Sequence, residues 1–275
     1  MIKFFDNTTL LLFLAVIPVV LILLYVYYQD KNKEPPSLLI KLFIGGIVSC
    51  GLVLLVSSIL EKISPLFSPN STKNFFGILF YAFISVALVE EICKWIFVYL
   101  FGYRSKEFDE VYDGLLYAVF VSLGFAFIEN ILYVIINNSF YTAFVRGLCA
   151  VPSHACDAIL MGYHISIAKE YRIHNKKKKE RKHLLLSIIM PALIHGIYDF
   201  CLLSGNKLFT FVFLVFITFM YFTSVNKLQQ MSMSRKNIAD KESNKNKFCP
   251  KCGMKKNENH TCEKNIKVNK FEFIE

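Results

Sequence analysis

Long apolar runs leave this chain few ways to fold. About seven of them, at roughly 9–28, 37–60, 75–101, 111–136, 140–168, 184–204 and 207–225, are close to the ~20 residues a helix needs to cross a bilayer. Inside hydrocarbon every backbone N–H and C=O must be satisfied within its own segment, so such runs fold as helices. Composition agrees: 55% of the 275 residues are hydrophobic and 27 are Phe, against about 45–50% apolar in soluble domains. A disordered chain is excluded, and a soluble enzyme could not hide so much apolar surface. The expected fold class is all-α: a polytopic membrane bundle of about seven transmembrane helices.

Charge placement gives an orientation. Lys169, Arg172, Lys176, Lys177, Lys178, Lys179, Arg181 and Lys182 fall between the fifth and sixth runs, which puts that segment in the cytoplasm. By alternation Lys31, Lys33, Arg104 and Lys106 are also inside, while the opposite loops carry only Lys62, Lys73 and Lys207, with Lys3 at the N-terminus. The N-terminus is then outside and the C-terminus cytoplasmic. The first run ends in Tyr25, Tyr27 and Tyr28 with no small-residue cleavage site after it, so it reads as a retained helix in the cell membrane. The net charge of +10 belongs to loops and tail and gives no case for nucleic acid as a partner. Five cysteines lie in apolar runs as small hydrophobes, and no disulfide framework is implied.

Ionisable groups inside such helices cost about 2.5–3.5 kcal/mol each at the helix centre, so their default reading is functional. The third run carries Glu90, Glu91 and Lys94; Glu90 and Lys94 share a face and can pair, which leaves Glu91 without an assigned partner. The fourth holds Asp113 near its start, where it suits a helix cap, and Glu129 with Asn130 further in. His154 and Asp157 in the fifth run, and His195 and Asp199 in the sixth, are three and four residues apart and share a face. A carboxylate beside an imidazole fixes its tautomer and raises its basicity. Glu90, Glu91, Glu129, His154 and His195 are the candidate catalytic residues, with Lys94, Asn130, Asp157 and Asp199 in support. His164 stands apart, and His174 and His183 fall in the basic loop, where solvation is expected. Such groups can activate water directly or hold a catalytic divalent metal. They could instead serve a proton- or cation-coupled transporter.

The order Glu90-Glu91-x-x-Lys94, Asp113-Gly114, Phe125-Ala126-x-x-Glu129-Asn130, His154 and His195-Gly196-x-x-Asp199 resembles the PrsW family of intramembrane proteases, within the wider CAAX-protease and bacteriocin-processing superfamily. The resemblance covers roughly residues 1–225. It implies hydrolysis of a peptide bond in a membrane-anchored regulatory protein, an anti-sigma factor cut first at this site, with the glutamates and histidines carrying catalysis. One feature fits less well. At ~1.5 Å per residue, Glu129 lies about 10 Å nearer the outside than Glu90. Shifted boundaries, a helix broken near Pro152 or Pro191, or a Glu129 set back from the reacting group would each resolve this.

Three domains are expected: the protease domain over 1–225, a flexible polar linker over 226–247, and a zinc-ribbon-like cytoplasmic tail over 248–275. In the tail, Cys249-x-x-Cys252-Gly with His260 and Cys262 offers four tetrahedral ligands for a structural zinc. This module departs from the basic family pattern and suits docking of a cytoplasmic partner.

Overall fold

The structure, a computed structural model, describes residues 7–247. Seven helices long and apolar enough to cross a membrane follow one another among the described residues. They are α1 (Asn7–Gln29), α2 (Pro36–Ile63), α3 (Phe75–Tyr103), α4 (Val111–Asn137), α5 (Phe140–Ile173), α6 (Lys177–Leu203) and α7 (Lys207–Lys247). The chain is thus a polytopic helical membrane bundle.

Local chemistry sets the ends of these helices. Pro36 opens α2 where a missing N–H costs nothing. The Asn74 Oδ1 accepts from Gly77 N at 2.8 Å and starts α3. Asp113 is fully buried in the first turn of α4, where its Oδ2 accepts from the backbone N–H groups of Glu110 and Asp109 at 2.7 and 3.0 Å. It is the third-position member of a capping box whose N-cap is Glu110. Asn138, at φ 44°, takes the left-handed conformation that ends α4, which asparagine tolerates.

The basic segment between α5 and α6 is mostly helical rather than a loop, because α5 continues to Ile173 and α6 begins at Lys177. His183 is accordingly not a solvated loop residue: its ring packs on Tyr171, and its Nδ1 meets His164 Nδ1 at 3.2 Å. The expected linker over 226–247 is also helical. α7 runs unbroken to Lys247, with Leu228 and Met231 buried in the main core and the Ser232 hydroxyl bonded to Gln29 O at 3.3 Å. The boundary expected at 225 falls inside this helix, since apolar residues recur on one face of a polar stretch.

The core centres on α4 and α5. Over their apolar stretches 50% and 61% of residues are buried, against 22% for α1 and α7, which places α4 and α5 inside and those two at the rim. Leu115, Leu116, Tyr117, Val121 and Leu123 pack with Leu42 of α2, Val98 of α3 and Ala155, Ile159 and Met161 of α5. A second cluster joins Tyr198 and Cys201 of α6 to Phe213, Ile217 and Met220 of α7. Close crossings need glycine. A Cβ at Gly46 would lie 2.0 Å from Val121 O, and one at Gly124 2.1 Å from Phe43 O, so α2 and α4 meet backbone to backbone there. Outside the hydrocarbon, Glu34 is folded into the α1–α2 connection and accepts from the Tyr117 hydroxyl at 2.6 Å. Burial pushes its carboxyl above the ordinary carboxylate range, and the Tyr117 hydrogen bond only partly opposes this.

Two helices carry wider turns, and these bear on the site. α3 is π-helical over Tyr81–Leu88 and Val98–Tyr103, on either side of an α-helical Val89–Phe97. α5 is π-helical over Arg146–Ala150. Such turns shift the helical face and recur at functional sites.

Candidate active site

Glu90, Glu91, His154 and His195 converge in the bundle interior. One ligand-capable atom from each lies within 4.8 Å of all the others, and all four residues are buried. Glu90 and Glu91 come from the α-helical stretch between the π turns of α3, where Lys94 is also fully buried. His154 sits one turn after the π segment of α5, and His195 faces them from α6. A Cβ at Gly196 would fall 2.4 Å from the Phe83 ring, so a glycine beside His195 lets α6 lie against the π segment of α3.

The bonding differs from a simple Glu90–Lys94 pair. The Lys94 ammonium lies 2.7 Å from Glu91 Oε1 and 3.3 Å from Glu90 Oε2, so Glu91 is its nearer partner. It also donates to His154 Nδ1 at 3.1 Å and lies 4.2 Å from the centre of the Phe125 ring. With Nδ1 accepting, His154 Nε2–H donates to Glu129 Oε2 at 3.0 Å. His195 Nδ1 lies 3.0 Å from Glu91 Oε1, and its Nε2 lies 3.4 Å from Asp199 Oδ2 and 3.8 Å from Glu90 Oε2. With Nδ1–H donating to Glu91, Nε2 is the open nitrogen.

Two expected relations change. Asp157 turns toward His195, with Oδ2 3.8 Å from Nδ1, while His154 takes its carboxylate from Glu129 across helices. Glu129 joins the cluster through His154, one residue back from the four convergent groups. The depth mismatch agrees with a Glu129 set back from the reacting group, while Pro152 and Pro191 both lie within continuous helices. Asn130 is a clasp, donating to Ala15 O at 3.2 Å and accepting from Arg146 Nε at 2.8 Å. His164 is bonded to His183 rather than to the cluster. Cys249, Cys252, His260 and Cys262 lie outside the described residues.

Sequence reasoning passed over Arg146. Its Nη2 meets Glu129 Oε2 at 2.7 Å, and its guanidinium lies 3.8 Å from the centre of the Tyr133 ring. A lone arginine inside the fifth apolar run was the available signal.

The residues present fit a divalent metal. Two carboxylates and two imidazoles are a common donor set for zinc and related ions. Glu91 Oε2 and both Asp157 oxygens are buried without a hydrogen-bond partner among the described residues, an unusual expense unless something else occupies the space. An ammonium already sits against three of the four donor residues.

Fold and site together define a polytopic helical membrane protein with a buried cluster of carboxylates and imidazoles. The family model described as "PrsW family intramembrane metalloprotease" matches residues 34–225. Protease PrsW of Oceanobacillus iheyensis is 40% identical over 203 residues, 74% of this chain and 86% of that protein. Protease PrsW of Geobacillus kaustophilus is 35% identical over 197 residues, 72% and 80% of the two chains. Protease PrsW of Bacillus subtilis is 33% identical over 204 residues, 74% and 87%. No solved structure shows a significant match. The chain belongs to the PrsW family of intramembrane proteases, which sets the transporter alternative aside.

Proposed function

We propose that this chain hydrolyses a peptide bond of a membrane-anchored anti-sigma factor, as the first cut in its regulated proteolysis. The observation that carries the chemistry is the convergence of Glu90, Glu91, His154 and His195 in the bundle interior. Glu90 has a carboxylate at the rim of the cluster, its side chain 9% exposed where Glu91 is closed off, and it takes the proton from the attacking water. Glu91 accepts from His195 Nδ1–H, which leaves Nε2, 3.8 Å from Glu90 Oε2, to take up the water's proton from Glu90 and pass it to the leaving amine. Asp199 sets the orientation of that imidazole, and Glu129 does the same for His154. A divalent ion would be held by Glu90, Glu91, His154 and His195, and when bound supplies a Lewis acid that polarises the carbonyl and activates water. Purified protein with a membrane-anchored anti-sigma factor, with and without chelator and with Glu90→Gln, tests this reading. Cleavage lost in the variant supports it, and wild-type cleavage by the variant refutes it.

The bundle is oriented with its C-terminus in the cytoplasm, a reading supported by the cations around the α5–α6 junction. Residues 248–275 form a separate zinc-ribbon-like module that docks a cytoplasmic partner, a reading that rests on the Cys249, Cys252, His260 and Cys262 spacing. Zinc should bind there at about one equivalent per chain, as a four-ligand site requires. Retention of that zinc after Cys249→Ser with Cys252→Ser would refute it.

A further inference from the structure

Resting on the reading that Glu90, Glu91, His154 and His195 hold a divalent ion, we propose that the Lys94 ammonium is the ion's alternative occupant in one donor pocket, and that it moves to Asp157 when the ion enters. Lys94 is fully buried and bonded to Glu91 Oε1 at 2.7 Å, Glu90 Oε2 at 3.3 Å and His154 Nδ1 at 3.1 Å. Three of the four residues that converge as a metal-capable group are therefore engaged by a cation the chain itself supplies. The His154 contact makes the two states exclusive. Its Nε2–H is committed to Glu129 at 3.0 Å, so Nδ1 carries the only lone pair, which serves the ammonium or a metal but not both. The Glu129–His154 contact is also the carboxylate–imidazole arrangement that orients a metal-bound histidine.

The cluster needs a cation whether or not an ion is bound. Two buried carboxylates with oxygens within 4.8 Å repel one another, and an uncompensated buried charge is strongly destabilising. Lys94 lets the protein fold before any ion arrives. The place for the displaced ammonium is visible too. Asp157 is fully buried, neither of its oxygens has a hydrogen-bond partner among the described residues, and its Oδ2 lies 3.8 Å from His195 Nδ1 of the same cluster. A flexible four-carbon stem with a compact head suits such a swing, which a planar guanidinium could not make in the same space.

The test uses the full chain in detergent with Cys249, Cys252 and Cys262 changed to Ser, titrated with Co2+. Affinity is read from competition with a chelator, and ligand environment from the cobalt d–d bands. Lys94→Met should bind Co2+ about tenfold tighter than its parent, the order expected for removing a charge-assisted contact. Its d–d bands should match, because the ligands do not change. Asp157→Asn should bind more weakly than the parent, yet make little difference in the Lys94→Met background, since it acts through Lys94. Metal-dependent thermal stabilisation should be larger for Lys94→Met, and Lys94→Gln serves if that variant does not accumulate. Equal or weaker binding by Lys94→Met, or altered bands, overturns the exchange while leaving the metal reading intact. An undiminished effect of Asp157→Asn without Lys94 overturns the landing site. Failure of both parent and Lys94→Met to bind any metal overturns the metal reading itself.

Discussion

Replacing Arg146 by Met should damage the site without touching any of its four convergent residues. Arg146 bridges Glu129 and Asn130 at 2.7 and 2.8 Å and lies against Tyr133. Its loss leaves Glu129 with His154 as its one remaining hydrogen-bond partner among the described contacts. Breaking a fully buried ion pair from one side costs about 3–5 kcal/mol. These side chains are 19% and 17% exposed, so solvent recovers part of that, and about 2–3 kcal/mol is the expected loss. Arg146→Lys keeps the charge but loses the fork to Asn130 and the flat contact with Tyr133, and should cost about 1 kcal/mol. The assay is reversible unfolding in mild detergent, run as a double-mutant cycle with Glu129→Gln. Removing both partners should cost less than the sum of the single losses, by about 1–2 kcal/mol. Strict additivity would show that Arg146 and Glu129 are not coupled and would refute the chain from Arg146 through Glu129 to His154.

Asp199→Asn should slow cleavage less than His195→Ala does, because Asp199 acts through the imidazole; equal losses in turnover measurements would put Asp199 in direct contact with substrate. Gly124→Leu should prevent accumulation of folded protein, since even a Cβ there would lie 2.1 Å from Phe43 O; wild-type levels in the membrane fraction would contradict the close α2–α4 crossing. Glu34 has a folded carboxyl raised by burial, so its contribution favours the folded state below the ordinary carboxylate range and is lost as pH rises through the raised value. Glu34→Gln should therefore flatten the fall in thermal stability as pH rises above the ordinary carboxylate range, and an unchanged pH profile would count against that burial. A reporter active only outside the cytoplasm, fused after residue 247, should be silent; activity would invert the proposed topology.

The helices were readable because the bilayer demands about 20 apolar residues per crossing, and the runs met that demand within a few residues. The exceptions were polar ends. Lys177–Lys182 and 226–233 carry the charges of a loop and linker but continue helices, because a helix that leaves the membrane needs no apolar face all round. The site's residue types were legible for the same reason the spans were: a carboxylate or imidazole in an apolar run stands out. Their pairing was legible in part. Glu90 with Lys94 and His195 with Asp199 meet on one helix as their spacing suggests, but His154 finds Glu129 rather than Asp157, and His195 also meets Glu91, contacts between helices that no spacing within a run announces. Arg146 was visible but was passed over, because it lies in no family motif.

The paired glutamates are proposed to do chemistry rather than to hold helices together. Glu90→Gln with Glu91→Gln keeps volume and hydrogen-bonding capacity but removes both basic carboxylates. Purified with a membrane-anchored anti-sigma factor in lipid, and shown to be folded by its thermal transition, this double variant should leave the substrate intact while the wild type cuts it. Cleavage by the folded double variant at the wild-type rate would reduce Glu90, Glu91 and Lys94 to a structural ion-pair cluster and move the active site elsewhere in the bundle.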